Sequence, residues 1–138
     1  MRKPEQKLWD TMRRRAPSST WMQRVENGAA DGMADVLVVW QRATAWCELK
    51  APELPARAGS KLFTGSCALR EAQENWHLKM NSLEQSTFIL ARTTDNSLIA
   101  LLPGSAAGRV NDMTVSEVSQ HTLAATWAEV WSAMGVTG

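Results

Sequence analysis

Long apolar runs are missing from this chain. None approaches the ~20 consecutive apolar residues that a membrane span requires, so no membrane partner is expected. The opening stretch, MRKPEQKLWD, is charged and has no apolar segment, which argues against a secretory leader. Cysteine is scarce: Cys47 and Cys67 match no zinc-site spacing, and both are expected as reduced thiols of a cytoplasmic protein. Histidine is as scarce, and neither His77 nor His121 lies in a nucleophile motif, which leaves a Ser/His/Asp triad unsupported. A Gly-rich phosphate loop of the Walker type is absent. Lysine and arginine stop at Arg109, so the C-terminal segment has no positive charge.

What is present fits one domain, 1–138, with one core: 138 residues, 44% hydrophobic and 21% charged. The net charge of +1 says little about partners, but its distribution says more. Arg2, Lys3, Lys7, Arg13, Arg14 and Arg15 stand in the first fifteen residues against Glu5 and Asp10. One face of the molecule is suited to a polyanion; an ordinary solvated surface explains the same charges.

The richest stretch is GMADVLVVWQRATAWCELK, Gly32 to Lys50. Val36 to Trp40 is a continuous apolar run and reads as a buried strand. Ala45 to Lys50 alternates, which places Trp46, Glu48 and Lys50 on one face and Cys47 and Leu49 on the other. Paired as a hairpin about the Arg42–Ala43 bond, the strands set Asp35 opposite Lys50 and Leu37 opposite Glu48. A shift of one or two residues in the turn keeps Asp35, Glu48 and Lys50 together. Charges gathered at the end of an apolar sheet need a compensating role.

Around this hairpin, Pro4 to about Arg15 has the period of a helix, with Glu5, Leu8, Trp9 and Met12 on one face. Glu5 is the odd member of that stripe; it either favours the helix N-terminus or has a metal or proton role. Trp21 to Glu26 reads as a short strand. Residues 51–66, with Arg57 and Lys61, read as a long irregular loop that either follows a phosphate backbone or is plain connection. Cys67 to about Ser82 is the second helix, with Leu69, Ala72, Gln73, Trp76, Met80 and Leu83 inward and His77 at the boundary. Ser86 to Arg92 and Ser97 to Leu102 form a second hairpin across Thr93–Asn96. Thr114 to Met134 is read as one last helix, whose Trp127 and Trp131 either cover the sheet or form a dimer interface. The fold class is α/β, a mixed central sheet flanked by helices.

Two or three carboxylates converging on one point suit a hard divalent cation, Mg²⁺ or Mn²⁺. Such an ion polarises a phosphoryl oxygen and acidifies a water, and a lysine beside it can orient the nucleophile. The chemistry is that of phosphodiester hydrolysis.

These residues resemble the PD-(D/E)XK nuclease superfamily. Glu5, Asp35 and Glu48-Leu49-Lys50 stand in that family's order, and RVENGAADGMADVLVV, WCELKAP and LREAQENW look most like the VRR-NUC branch and the archaeal and phage Holliday-junction resolvases. Gln73 matches a glutamine on the helix after the ExK motif. Ala34 stands where the motif has proline, a position that shapes the strand entry. The likeness covers roughly residues 4–102.

The resemblance implies a restriction-endonuclease-like α-β-β-β-α-β core, here with an added C-terminal helix. It also implies a metal-dependent DNA endonuclease that leaves a 5′-phosphate and a 3′-hydroxyl. Asp35, Glu48 and the Leu49 carbonyl would hold Mg²⁺ or Mn²⁺, with Glu5 or its rival Glu26 adding a carboxylate. Lys50 would position the water, and Gln73 would orient Lys50 or touch phosphate. Arg13, Arg14, Arg15, Arg24, Arg57 and Lys61 would contact DNA. A branched or junction substrate would call for a homodimer, and a phage origin would place the protein in host cytoplasm. The alternative is a non-catalytic DNA-binding or scaffold module on a decayed nuclease fold.

Overall fold

The computed structural model describes residues 3–25 and 31–136. Its elements run in the order α1 (Pro4–Arg15), β1 (Thr20–Arg24), β2 (Val36–Trp40), β3 (Ala43–Lys50), α2 (Glu71–Ser82), β4 (Thr87–Arg92), β5 (Ile99–Pro103), α3 (Val115–His121) and α4 (Trp127–Met134). The strands form one mixed sheet in the order β1-β2-β3-β4-β5. All neighbours are antiparallel except β3 and β4. A parallel pair cannot be closed by a tight turn, and α2 supplies the crossover. The architecture is α/β, a mixed sheet flanked by helices, as expected. No described helix is long and apolar enough to cross a membrane.

Strand alternation sorts the core into two faces. Ala45, Cys47 and Leu49 of β3, with Leu90 and Leu101, pack beneath Leu8 and Met12 of α1 and Val130, Trp131 and Met134 of α4. Ile89, Ala91, Ala100 and Leu102 point the other way, toward Val118 of α3 and the buried loop residues Leu62 and Phe63. Trp46 of β3 meets Trp76 of α2 edge-on at 5.6 Å between ring centres. Glu48 and Lys50, in step with Trp46, therefore lie on the face that α2 covers.

Four expectations are corrected. The hairpin turns at Gln41–Arg42, with Trp40 paired to Ala43 and Leu37 to Trp46. Continued outward, that register sets Asp35 across from Glu48 rather than Lys50. The second helix begins at Glu71, because residues 68–70 are extended and Leu69 is tied on both sides by Asn111: Leu69 N–H donates to Asn111 Oδ1 at 2.8 Å, and Asn111 Nδ2 donates to the Leu69 carbonyl at 2.8 Å. Its inner face is Gln73 and His77, with Leu83 exposed. Finally, the C-terminal helix is two helices. The Thr122 hydroxyl accepts from Leu101 N–H at 2.9 Å, Leu123 N–H donates to the Leu101 carbonyl at 2.8 Å, and Thr126 caps a new helix by accepting from Glu129 N–H. A chain bonded to the edge strand β5 at these points cannot also continue a helical ladder.

Residues 51–66 are irregular but pinned. Leu62 and Phe63 are buried, Lys61 bridges Thr114, and the Ser60 and Ala58 carbonyls accept from Val115 and Ser116. The first strand closes at Arg24, and Glu26 lies outside the described residues. Trp131 is buried in the core, where it covers the sheet, and stacks on the partly buried Trp127 at 6.1 Å.

Candidate active site

Asp35 sits one residue before β2, and Glu48 and Lys50 close β3, so the hairpin brings them to one end of the sheet. Two hydrogen bonds hold Asp35: its Oδ2 accepts from Leu49 N–H at 2.8 Å, and its own carbonyl accepts from Val25 N–H at 2.7 Å. Asp35 and Glu48 also lie close enough that each carboxyl acts on the other's ionisation. Two carboxyls so close cannot both be ionised cheaply. Burial, reinforced by the Glu48 carboxylate, pushes the Asp35 carboxyl up to about 7. Burial likewise raises Glu48, against the pull of Asp35 and Lys50. Near neutrality and without a cation, Asp35 is therefore protonated in a large part of the molecules.

Gln73 is the hub. Its Oε1 accepts from Arg70 N–H at 2.9 Å and from Lys50 Nζ at 3.4 Å, and its Nε2 donates to Glu48 Oε2 at 3.1 Å. Every partner matches the amide's polarity, so its orientation is fixed by the network. Lys50 Nζ also donates to the Ala68 carbonyl at 3.4 Å. The ammonium and the carboxylate are thus held apart by one glutamine rather than paired directly.

His77, expected at the boundary, is 0% exposed and belongs to the site. One turn beyond Gln73, it points at the same carboxylate, with Nε2 3.7 Å from Glu48 Oε1. Its Nδ1 lies 3.0 Å from Thr87 Oγ1, and Asn81 Nδ2 donates to that same oxygen at 2.8 Å. When the Thr87 hydroxyl donates to Nδ1, the ring's own proton sits on Nε2 and faces Glu48; the tautomer sets which way that bond runs. Burial drives the imidazole down to about 4, so the ring is neutral at pH 7. Glu48 Oε1 and His77 Nε2 are both buried without a hydrogen-bond partner.

Two glycines make room for this packing. A side chain on Gly32 would collide with the Ala72 carbonyl at the start of α2, and its φ of +81° is strained for any other residue. A side chain on Gly104 would strike Thr87 Oγ1, the atom that orients His77.

Glu5 approaches from α1. Its carboxylate is paired with Arg24 Nη2 at 3.6 Å and raised by burial and then by Asp35. It is near the pair but turned toward Arg24, and no group of three or more His, Cys, Asp or Glu among the described residues is arranged to hold a metal. The donor set for a cation is Asp35 with Glu48. The orphaned Glu48 Oε1 is the observation that fits an oxygen-seeking ion there. Cys47, pushed up to about 12 by burial, is an inert buried thiol.

The remaining expected contacts are dispersed. Arg13 is paired with Asp10 at 3.3 Å and lies over Trp9. Arg24 is held by Glu5, and Lys61 is 3.5 Å from Asp112. Arg57 is exposed on the pinned loop. Arg14 and Arg15 line a groove beside α1.

No known family model matches the chain, and no curated protein matches its sequence. Among solved structures, a similar one is Hjc, a Holliday junction resolvase from the archaeal hyperthermophile Archaeoglobus fulgidus. The match covers 84% of this chain and 97% of Hjc, at 11% identity and a TM-score of 0.49.

Proposed function

We propose that the protein is a divalent-metal-dependent DNA endonuclease of the PD-(D/E)XK type. The observation that carries this reading is the meeting of the Asp35 and Glu48 carboxyls at one sheet end, with Lys50 tied to the same glutamine as Glu48. Asp35 and Glu48 would hold Mg²⁺ or Mn²⁺, with the Leu49 carbonyl as a further oxygen. When bound, such an ion polarises the phosphoryl oxygen and acidifies a water.

The chain's own residues supply the rest. Lys50 Nζ, restrained by Gln73 and the Ala68 carbonyl, donates to the attacking water or to the phosphate. Gln73 keeps the ammonium off the carboxylate, so that Lys50 stays available to substrate. His77 Nε2–H faces the outer side of Glu48 and steadies the carboxylate as it changes partners. Glu5, released from Arg24, would complete the acidic set, and Arg24 would then be free to meet phosphate.

The test is cleavage of junction, flap, nicked and linear DNAs with Mg²⁺ or Mn²⁺, beside Asp35→Ala and Lys50→Ala. Cutting by the wild type, lost in both variants, is the expected result. Equal inertness of all three proteins on every substrate would remove the enzyme reading. A junction substrate is the narrower form, because two symmetric cuts need two sites. Sedimentation that finds only monomer at high concentration would count against it.

A non-catalytic DNA-binding module is the second reading. It draws on the turning of Glu5 to Arg24, which leaves two carboxylates rather than three at the centre. Such a module would bind DNA without any dependence on a divalent ion.

A further inference from the structure

A cavity of about 660 Å³ lies between α1 and the β4–β5 turn. That is far more than a few waters fill, at ~30 Å³ each. Pro4 and Ala51, the chain neighbours of Glu5 and Lys50, are among its lining residues, so the groove passes beside the candidate site. Its walls carry Lys7, Arg14 and Arg15 from α1 and Arg92 from the end of β4. The carboxylate among its lining residues, Asp10, is engaged by Arg13.

We propose that this groove takes a DNA strand leading away from the acidic centre, with Arg14 and Arg92 as a facing pair of phosphate contacts. The inference rests on the nuclease reading for its choice of ligand and on the groove itself for its place. Arg92 is half-buried, and Arg14 is close enough to disfavour its charge, after burial itself. Arg14 Nη2 donates to the Thr11 hydroxyl at 3.2 Å, a neutral partner. Two guanidiniums turned toward one space repel each other, and an anion between them turns that cost into attraction. Guanidinium suits phosphate because its planar fork donates two bonds at once. Lys7, one helical turn from Pro4, and Arg15, at the Trp127 end, extend the basic wall along the groove. Arg92 carries no motif, and its meeting with Arg14 is a product of the fold.

The experiment is fluorescence anisotropy of labelled single-stranded and duplex DNA in EDTA, where cleavage plays no part, over a range of KCl. The proteins are wild type, Arg14→Ala, Arg14→Ala/Arg92→Gln, and Arg42→Ala in the β2–β3 turn as control. The account predicts at least a tenfold loss of affinity in the double variant. It also predicts a salt dependence shallower by roughly 0.7–0.9 for each phosphate contact removed, with Arg42→Ala unchanged. Circular dichroism checks the fold; should the Arg92 variant unfold, the exposed Arg14→Ala alone must still weaken binding and flatten the slope.

Wild-type affinity and slope in the Arg14 variants would overturn the proposal, as would an equal loss in Arg42→Ala or no binding by the wild type. Inorganic phosphate at matched ionic strength is expected to leave binding unchanged. Displacement by low millimolar phosphate would overturn the strand track in favour of a small-anion site. If Asp35→Ala cuts like the wild type while the groove variants lose binding, the chemistry reading fails and the groove stands.

Discussion

At the scale of single residues, the site is governed by one proton. Asp35 carries it near neutrality because burial and the Glu48 carboxylate raise its carboxyl from 3.8 to about 7. An acid raised in the folded state favours the fold while protonated. Its contribution is complete below about pH 4 and is lost as pH rises through about 7. Over the same range the buried neutral His77 works the other way, gaining stability as pH rises from about 4 to 6.5, so Asp35's share is read from the difference between wild type and variant. Asp35→Asn should remove Asp35's part of the slope, so that its melting temperature relative to the wild type rises by roughly 5–10 °C between pH 5 and pH 8, and should abolish cleavage at once; a difference that does not change with pH would contradict the assignment. His77 acts at the same scale. His77→Ala leaves Thr87 and Glu48 without their neighbour, and a loss of about 2–3 kcal/mol of stability is expected. Cleavage should fall about 10–100-fold, as for other outer partners of metal-binding carboxylates. Melting and single-turnover rates measured together check both, and a stability loss with full activity would reduce His77 to packing. Asp35, Glu48, Lys50 and Gln73 were legible because each interrupts an apolar pattern. His77 was not, since a histidine one step off an inner stripe looks like boundary, and only the partners across the helix reveal its burial.

Among the elements, the hairpin was legible and its register was not. The apolar run of β2 and the alternation of β3 announce two strands, but a two-residue turn at Gln41–Arg42 carries no glycine to mark its place. The start of α2 was hidden for a different reason: Asn111, far along the chain, holds Leu69 extended. The break between α3 and α4 depends likewise on Thr122 bonding to β5, a contact that no local period discloses. Gly32 joins two elements, fitting the loop before β2 against the first turn of α2. Gly32→Ala is expected to cost about 1–3 kcal/mol from positive φ and collision. It should also move Gln73 and lower activity in step. Urea unfolding beside the cleavage assay checks this, and wild-type values in both would show that the loop yields without disturbing the site.

For the whole molecule, the question is what an acidic centre beside a basic groove is for. The fold class was readable from the order of strands and helices, since a helix between two strands invites a parallel crossover. The groove was not readable, because Arg14 and Arg92 lie far apart in the sequence and meet only through the fold. The C-terminal tryptophans were ambiguous on paper: Trp131 lies in the core and covers the sheet, while Trp127 packs against it partly buried. The central claim is that Asp35 and Glu48 exist to hold a divalent cation. Its most direct test is calorimetric titration of Mn²⁺ into metal-free protein at about pH 6.5, in two buffers of different ionisation enthalpy, with Asp35→Asn and Glu48→Gln alongside. The account predicts binding by the wild type with release of close to one proton per ion, and no binding heat in either variant. A wild type that takes up no Mn²⁺, or variants that bind it equally well, would contradict it.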